Sequence, residues 1–398
     1  MKNILFVLYE DFHSNSALHV HHFANNLVKL GFDCVVAVPR NKQTVSQVGE
    51  DLTHLYNVTE YGEFYRLNKL FENQQGPDVV HVWTPREVTR NYCHKLRKAY
   101  DFKLVIHLED NEEYVLEKYL NKPFKEIANA NGSLAIPDNV SHPQKYREFL
   151  ASADGVTVII EKLKEFVPNN VPSLVLWPGV ETEYFYPRNP NPEIVKRFNI
   201  PENTLVFSYT GNVHAANTHE VRSLYLAVAM LNREGKPAVL VRTGRDFCNF
   251  LGDDDNWARK YAIELGYVDR SLMPEILALA NVLIQPGRPD KFNDYRFPCK
   301  LPEFLAMGKP VILPATNIGL VMENEKDALV LPVVDGVNIV ESVGKLFEDN
   351  SLFEKLGQGA INFAKTHLNW QKNTELLKSF YQEIGSKNIV DTLTTPQT

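Results

Sequence analysis

Lys300 and Glu303 form the most informative pair of polar residues in the sequence. They lie in the stretch RFPCKLPEFLAMGKPVILP, residues 296–314, which predicts a helix from Lys300 to Ala306 followed by a strand. An ammonium group beside the N–H groups of a helix N-terminus is suited to phosphate. Glu303 lies one turn on, on the same helix face, where a carboxylate can accept hydrogen bonds from two ribose hydroxyls. Together the two groups would recognise a nucleoside diphosphate.

The same pair has a second interpretation. Lys and Glu at this spacing form a helix-surface ion pair that contributes only about 0.2–0.5 kcal/mol to helix stability. The residue types alone leave both interpretations open. The position of the pair, between a predicted strand, helix and strand, slightly favours a binding site.

Other polar clusters have simpler interpretations. His19, His21 and His22 lie close together in sequence, but a metal site there would need a third ligand that the sequence does not place. Core or surface histidines are therefore favoured. Arg86 follows the predicted strand DVVHVW and is a candidate for an anionic acceptor, although a loop arginine is more often solvated or ion-paired.

An acidic run follows the predicted strand KLVIHL. It contains Glu109, Asp110, Glu112 and Glu113. Acids are common in the first turn of a helix, where they meet the positive end of its dipole. Positioning of acceptor hydroxyls is the functional alternative.

Composition places the chain among ordinary globular proteins. It has 398 residues, of which 44% are hydrophobic and 23% charged, enough for two domains. A formal net charge of −7 argues against a general nucleic-acid binder, which usually presents a basic face. The four cysteines are far apart in sequence, which predicts neither a zinc site nor a disulfide framework and favours a reducing, cytoplasmic compartment. No apolar run approaches the ~20 residues of a membrane-spanning helix, so no integral membrane segment is predicted.

Short apolar runs alternate with amphipathic helical stretches along the whole chain. This alternation predicts parallel sheets covered by helices on both faces, an α/β fold. The predicted strands are ILFVLY, DCVVAVP, DVVHVW (78–83), KLVIHL (103–108), GVTVII (155–160), LVFSYTG (205–211), AVLVRTG (238–244), NVLIQPG (281–287) and KPVILP (309–314).

The strand pattern restarts after a segment rich in proline and turn-forming residues, WPGVETEYFYPRNPNP at 177–192. We therefore predict two doubly wound, Rossmann-like domains with a cleft between them. Ligands in such sheets bind at the carboxyl ends of the strands. Two further helices are predicted over 352–386.

Four stretches resemble motifs of retaining GT-B glycosyltransferases of family 4, in the order of that family. FPCKLPEFLAMGKPVILP resembles the donor-site segment, which commonly reads P-x-K-x-x-E-[YF]-[LM]-A-x-G-x-P-V. LWPGVETEYFYP resembles the interdomain segment N-G-V-D-x-x-x-F-x-P, with Pro178 for Asn and Glu181 for Asp. GYVDRSLMPEILALANVLIQP and LNWQKNTELL resemble the next two motifs. The resemblance covers most of the chain and is best over 176–375.

The resemblance implies a GT-B fold, two Rossmann-like domains facing a central cleft. It implies that residues 1–178 bind the acceptor and residues 179–365 a nucleotide sugar. Residues 366–398 would form a helix that crosses back to the first domain, plus a tail. The partners are then a nucleotide sugar and a glycan or lipid-linked acceptor, with no nucleic acid; peripheral membrane contact is left open.

The resemblance also assigns residues in the second domain. Lys300 matches the diphosphate-binding lysine, and Glu303 the acid that binds the ribose. Relatives often carry an earlier glutamate that contacts the sugar, and Tyr295 occupies this position here, with Asp294 beside it. This departure leaves the identity of the sugar open.

Relatives usually place a basic residue after the first strand of this domain to assist the phosphates. Here the corresponding stretch, TGNVHAANTHE, contains neither Arg nor Lys. Arg242, Arg245 and Arg296 are the candidates to take over the role. Arg245 is favoured because it follows a strand and a glycine.

In the first domain, His107 matches the strand-end histidine that relatives hold near the reacting sugar. The alternative is a buried histidine bonded to a backbone carbonyl. The loop EDFHSNSALHVHH lacks the Gly-Gly of many relatives, and Ser14, Asn15 and Ser16 are small polar substitutes near the donor. Ser14 or Asn15 could equally be only an N-cap.

The activity implied is metal-independent, retaining transfer of a hexose in polysaccharide or glycoconjugate biosynthesis. The expected mechanism is front-face attack, in which the leaving diphosphate takes the acceptor proton. His107, Lys300 and Arg245 would be the catalytic residues, no cofactor would be needed, and the nucleotide-diphosphate sugar would be a substrate. Two alternatives stay open: a non-catalytic nucleotide-sugar or glycan-binding relative, and a GT-B sugar-nucleotide epimerase.

Overall fold

The computed structural model describes residues 1–48, 53–130 and 134–393. The chain divides into two compact units. The first unit comprises Met1–Pro178 and residues 370–398, and the second comprises Gly179–Asn369. Of the tail predicted at the end of the chain, residues 394–398 lie outside the described residues.

The first unit is built on a parallel sheet of seven strands among the described residues, in the spatial order β3-β2-β1-β4-β5-β6-β7. The strands are β1 Asn3–Leu8, β2 Asp33–Val38, β3 Asn57–Glu60, β4 Val79–Trp83, β5 Lys103–Leu108, β6 Gly155–Val158 and β7 Ser173–Val175. Its helices before the second unit are α1 Asn15–Lys29, α2 Glu87–Leu96, α3 Glu112–Leu120, α4 Phe124–Asn129 and α5 Lys145–Ala151.

The second unit is built on a six-stranded parallel sheet among the described residues, in the order β10-β9-β8-β11-β12-β13. Its strands are β8 Leu205–Thr210, β9 Ala238–Thr243, β10 Ala262–Glu264, β11 Val282–Ile284, β12 Val311–Pro314 and β13 Leu329–Leu331. Its helices are α6 Pro192–Arg197, α7 Thr218–Arg233, α8 Met273–Ala278, α9 Leu301–Ala306, α10 Gly336–Glu348 and α11 Asn350–His367.

Short 3₁₀ segments connect these elements in both units. They span Lys42–Gln47, Tyr61–Leu70, Glu161–Phe166, Asp253–Tyr261, Arg270–Leu272, Asn293–Tyr295 and Asn317–Leu320.

The last helix, α12 (Trp370–Leu393), belongs to the first unit and packs against α1. Leu377, Phe380 and Tyr381 belong to the same buried apolar cluster as β1 and α1. The Phe380 ring occupies the space over Gly155, where an added Cβ would lie 2.7 Å from it. Burial of these side chains ties the end of the chain to the first sheet.

The nine predicted strands coincide with nine strands of the structure, with boundaries that differ by up to three residues. Four strands were missing from the prediction: β3, β7, β10 and β13. They are the four edges of the two sheets. Each has only three or four residues, and an edge strand is covered less fully than a central one, so its sequence lacks the long apolar run of a buried strand.

Along the described residues, no helix combines the length and the apolar character that crossing a lipid bilayer requires.

Candidate functional site

Two glycines join the loops that follow β8 and β9 in the second unit. Gly211 and Gly244 have φ of +147° and +97°, and a Cβ added at Gly244 would lie 2.2 Å from the Gly211 carbonyl oxygen. The Val213 N–H donates to the Arg245 carbonyl at 2.9 Å. The Asn212 side chain accepts from the Arg245 N–H at 2.8 Å. Two strand ends are thereby held in close contact at the carboxyl edge of the sheet.

The ammonium group of Lys300 lies at this same edge. Its Nζ is 3.4 Å from the Tyr209 hydroxyl and 4.5 Å from the centre of that ring. Its Cε lies 3.3 Å from the position that a Cβ on Gly211 would take. No carboxylate of the described residues lies within 4.0 Å of Nζ. Lys300 therefore supplies a positive charge beside the glycine loop that no direct ion pair with a described residue occupies.

The pKa values of titratable groups near Lys300 reflect its positive charge. The pKa of His214 lies below its ordinary value because of burial and because of the charges of Arg296 and Lys300. Glu220, in the first turn of α7, has its pKa raised by burial, although Arg296 and Lys300 oppose this rise. Arg296 is engaged with Glu220 at 3.1 Å and also donates to Asn293.

The start of α9 leaves few N–H groups for the anion that the sequence predicts there. The Leu301 N–H already bonds the Pro298 carbonyl, the Phe304 N–H bonds the Lys300 carbonyl, and Pro302 has no N–H. Among the first four residues of the helix, Glu303 is therefore the one whose N–H makes none of these backbone hydrogen bonds. Lys300 is the residue before this six-residue helix, so its side chain, rather than the helix dipole, provides the charge.

Glu303 does not pair with Lys300. Its carboxylate accepts a hydrogen bond from the Arg270 guanidinium at 3.1 Å, and Arg270 also donates to Glu181. Burial raises the pKa of Glu303, and the positive charge of Arg270 opposes this rise. The surface ion pair that was the alternative interpretation is therefore absent, since the partner of Glu303 is Arg270, 33 positions away in the chain.

Arg270 and Glu181 were missing from the sequence-based site. A signal for both was present, because Glu181 occupies the acidic position of the interdomain motif and Arg270 lies within GYVDRS, the next motif. What the sequence did not indicate is that both converge on Glu303.

The other candidates of the second unit separate into engaged and available groups. Arg242 is buried and ion-paired with Asp246 at 2.7 Å, and Asp294 accepts a hydrogen bond from Thr316. Arg245 is exposed, with its guanidinium 5.5 Å from the centre of the Tyr267 ring and no carboxylate of the described residues within 4.0 Å. Tyr295 ends the short 3₁₀ segment before Arg296 and is partly buried. Lys300 and Arg245 therefore both lie at the loops that follow β8 and β9.

His107 is completely buried near the end of β5 in the first unit. Its Nδ1 lies 2.7 Å from the Thr157 hydroxyl, and its ring stacks on Trp83 with 3.8 Å between centroids. Burial lowers the pKa of His107 to about 3, although the charge of Glu109 opposes this shift. The ring is therefore neutral near pH 7. Its hydrogen-bond partner is a side chain, and not the backbone carbonyl of the alternative interpretation.

Glu109, just beyond β5, is half-buried and held by three side chains. The Ser16 hydroxyl donates to one carboxylate oxygen, and His19 and Trp83 lie at 3.0 and 2.8 Å from the other. Burial acts to raise the pKa of Glu109, but the bonds with His19 and Ser16 and the charges of His19 and His107 lower it to about 2. Glu109 therefore joins the strand ends to the start of α1, whereas Glu112 and Glu113 form the first turn of α3.

The three small polar residues at the start of α1 have different surroundings. Ser14 is the N-cap, whose side chain accepts from the Ala17 N–H at 3.2 Å. Asn15 is exposed, whereas Ser16 is buried against Glu109. Ser16 is thus bound to the protein itself, and Asn15 is the accessible member.

The remaining candidates are structural. Arg86 is ion-paired with Glu112 at 3.6 Å and stacks over Tyr9. His21 lies 2.9 Å from the Tyr56 hydroxyl, and His22 stacks on Trp370. Among the described residues, no group of three or more His, Cys, Asp or Glu side chains is arranged to hold a metal ion.

Comparisons with known proteins agree with this architecture. Residues 204–349 match the family model described as glycosyl transferases group 1. No curated protein sequence matches the chain.

Several solved structures resemble the whole chain at low sequence identity. Sucrose-phosphate synthase from Thermosynechococcus elongatus is 14% identical, with 97% of this chain and 100% of that chain covered and a TM-score of 0.65. The HepE protein of Anabaena, in complex with UDP and glucose, is 11% identical, with 96% and 100% covered and a TM-score of 0.66. A glycosyltransferase from Rickettsia africae is 14% identical, with 96% and 98% covered and a TM-score of 0.67.

The predicted fold is confirmed, since both parallel α/β sheets match those of GT-B glycosyltransferase structures. The match to the glycosyl transferases group 1 model lies entirely within the second unit.

Proposed function

We propose that the protein is a retaining glycosyltransferase of the family 4 type. It moves a sugar from a nucleotide-diphosphate donor to a hydroxyl of a saccharide or other acceptor, and it needs no metal ion. The donor binds to the second unit, at the carboxyl edge of its sheet. The acceptor binds to the first unit.

One observation carries the proposal. Lys300 holds an ammonium group beside Gly211 with no carboxylate of the described residues within 4.0 Å, inside the stretch that matches the glycosyl transferases group 1 family. A diphosphate has a charge that such a cation stabilises, and backbone at a glycine allows close approach. Arg245, which is exposed on the adjoining loop, adds a second cation.

The proposed chemistry rests on stabilisation of the leaving group. When the bond between sugar and diphosphate breaks, negative charge grows on the phosphate oxygens, and preorganised cations lower the free energy of that transition state. Lys300 and Arg245 have this role, and the departing phosphate takes the proton of the acceptor hydroxyl. Glu303, held by Arg270, accepts hydrogen bonds from the ribose. His107 contacts the transferred sugar.

The test is an assay of nucleoside diphosphate release with a panel of nucleotide sugars. UDP-sugars come first, because the structurally similar HepE was solved with UDP and glucose. We expect release that depends on an added hydroxyl acceptor, and a product that keeps the anomeric configuration of the donor. Inversion of that configuration in the product, or a loss of activity with chelator that is restored by a divalent ion, would contradict the proposal.

A non-catalytic nucleotide-sugar binder is the second candidate. It is favoured by Tyr295 in the position of the family's sugar-contacting glutamate, and by the absence of Arg and Lys from residues 210–220. Saturable binding of a nucleotide sugar without turnover, over a broad acceptor panel, would support this candidate. Release of nucleoside diphosphate without acceptor, with a changed sugar, would indicate an epimerase.

A further inference from the structure

Four buried side chains of the first unit form a continuous hydrogen-bonded chain. The Tyr381 hydroxyl on α12 lies 2.7 Å from His81 Nδ1, and His81 Nε2 lies 2.9 Å from the Thr157 hydroxyl. The same hydroxyl lies 2.7 Å from His107 Nδ1. Each of the four residues is at most 1% exposed.

Strand register explains why these residues meet. His107 on β5 is the direct neighbour of Thr157 on β6 and of Trp83 on β4. His81 precedes Trp83 by two positions and therefore points to the same sheet face as Trp83. Tyr381 reaches this face from α12.

The two histidines are neutral near pH 7. Burial lowers the pKa of His81 well below its ordinary value, and the neighbouring His107 contributes to the shift. The pKa of His107 falls to about 3 through burial, with Glu109 opposing it. A neutral imidazole has one N–H donor and one bare nitrogen acceptor.

We infer that Tyr381, His81 and Thr157 hold His107 as the tautomer that carries its proton on Nε2, so that His107 donates a hydrogen bond to a ligand oxygen. The inference deepens the proposed function, because there the ligand oxygen is a hydroxyl of the transferred sugar. In this state His107 Nε2 cannot accept a proton. Tyr381, His81 and Thr157 are positioning residues.

Counting protons leads to this assignment. Four groups contribute four protons to three hydrogen bonds, so one proton has no partner within the chain of bonds. If Tyr381 donates to His81, His81 to Thr157 and Thr157 to His107, that proton is on His107 Nε2. This nitrogen is buried and has no hydrogen-bond partner among the described residues.

The two other ways of placing the protons leave more polar groups without a hydrogen-bond partner. If His107 carries its proton on Nδ1, the extra proton lies on the hydroxyl of Thr157 or Tyr381, and neither hydroxyl has a further partner among the described residues. His107 Nε2 is then a bare acceptor without a donor as well. Two buried polar groups lack partners instead of one, which costs stability.

The experiment measures the tautomer directly. Protein labelled with ¹⁵N-histidine is examined by long-range ¹H–¹⁵N NMR near pH 7, and the His107 signals are identified by their loss in His107→Asn. In the wild type we expect a protonated Nε2 and a bare Nδ1. A bare Nε2 on His107 would overturn the inference.

Variants test whether the hydrogen-bonded chain from Tyr381 to His107 sets the tautomer of His107. In Tyr381→Phe both tautomers leave two groups without partners, so we expect the Nε2–H form to fall to about half of the population. Thr157→Val, which removes the hydroxyl between the rings, should also give a mixture. Tyr56→Phe is the matched control, because it removes another buried tyrosine hydroxyl bonded to a histidine, His21, and it should leave His107 unchanged.

If His107 stays entirely in the Nε2–H form in both Tyr381→Phe and Thr157→Val, the hydrogen-bonded chain does not set its tautomer, and the inference is overturned. Turnover by Tyr381→Phe should fall about twofold in kcat, in proportion to the remaining Nε2–H population. The NMR result and the transferase assay test different claims. A protonated His107 Nε2 in a protein that transfers no sugar would refute only the proposed function. Sugar transfer by a protein whose His107 Nε2 is bare would refute only the inference about the tautomer.

Discussion

The Arg270 guanidinium donates a hydrogen bond to the Glu303 carboxylate at 3.1 Å and also ion-pairs with Glu181. Glu303 is largely buried, with 16% of its side chain exposed, and burial raises its pKa. Without Arg270 it would lose the positive charge that favours its ionised form. Arg270, a residue from another motif, therefore favours the ionised form of the proposed ribose acid and orients it.

Arg270→Gln should weaken nucleotide binding about tenfold, because it frees the Glu303 carboxylate and raises its pKa further. Affinity of the variant should recover as the pH rises through the raised pKa. Calorimetry at pH 6 and pH 8 measures this. Arg188→Gln is the control, since it breaks a similar ion pair with Glu275 at 2.6 Å in the same unit. Wild-type affinity of Arg270→Gln at both pH values would contradict the assigned role.

Lys300→Ala should lose about 1.5–3 kcal/mol of nucleoside diphosphate binding, as expected for a charge-assisted hydrogen bond. The fold should survive, because Lys300 has no ion-pair partner among the described residues. Lys236→Ala, which removes an exposed lysine paired with Glu234, is the control. Calorimetry with the nucleotide and thermal unfolding together decide the case, and equal affinity of the two variants would rule out Lys300 as the phosphate ligand.

Gly244→Ala should destabilise the second unit by about 2–4 kcal/mol. The added Cβ would lie 2.2 Å from the Gly211 oxygen, and both overpacking and the positive φ carry a cost. Gly235→Ala separates these effects, because Gly235 has φ +76° and nothing within 4 Å of the added Cβ. It should lose only about 1 kcal/mol. Thermal unfolding measures both variants, and equal losses would show that the contact with Gly211 does not matter.

Glu109→Gln should reduce the pH dependence of stability in the acid range. The pKa of Glu109 in the folded protein, about 2, lies below the ordinary value of 4.5. A carboxyl with a lowered folded pKa stabilises the protein above about pH 4.5, and this stabilisation is lost as the pH falls towards 2. Its size is about 3 kcal/mol at neutral pH.

The measurement for Glu109→Gln is the unfolding midpoint of the first unit from pH 7 to pH 2.5. The difference between wild type and variant should be largest at neutral pH and should shrink on acidification. Glu72→Gln, at an exposed ion pair with Lys2, should follow the wild type at all pH values. A difference for Glu109→Gln that does not vary with pH would mean that its charge contributes nothing.

Much of the architecture could be predicted because it depends on local patterns. The apolar runs that form β1, β4 and β5 are buried on both sheet faces, so their sequences contain no polar alternation. The edge strands could not be predicted in this way. At the candidate site, the sequence placed Lys300 at a strand–helix junction, but it did not show that Pro302 and two local bonds use up most N–H groups of that helix turn.

The sequence by itself determined the order of the nine inner strands, the division into two α/β units, and the types of the residues at the strand ends. Periodicity and turn residues act over a few neighbouring positions, so these features are written locally. Only the tertiary structure decided the partners. Glu303 meets Arg270, and His107 meets Thr157 and, through His81, Tyr381, because strand register and helix packing bring together residues that are far apart in the chain.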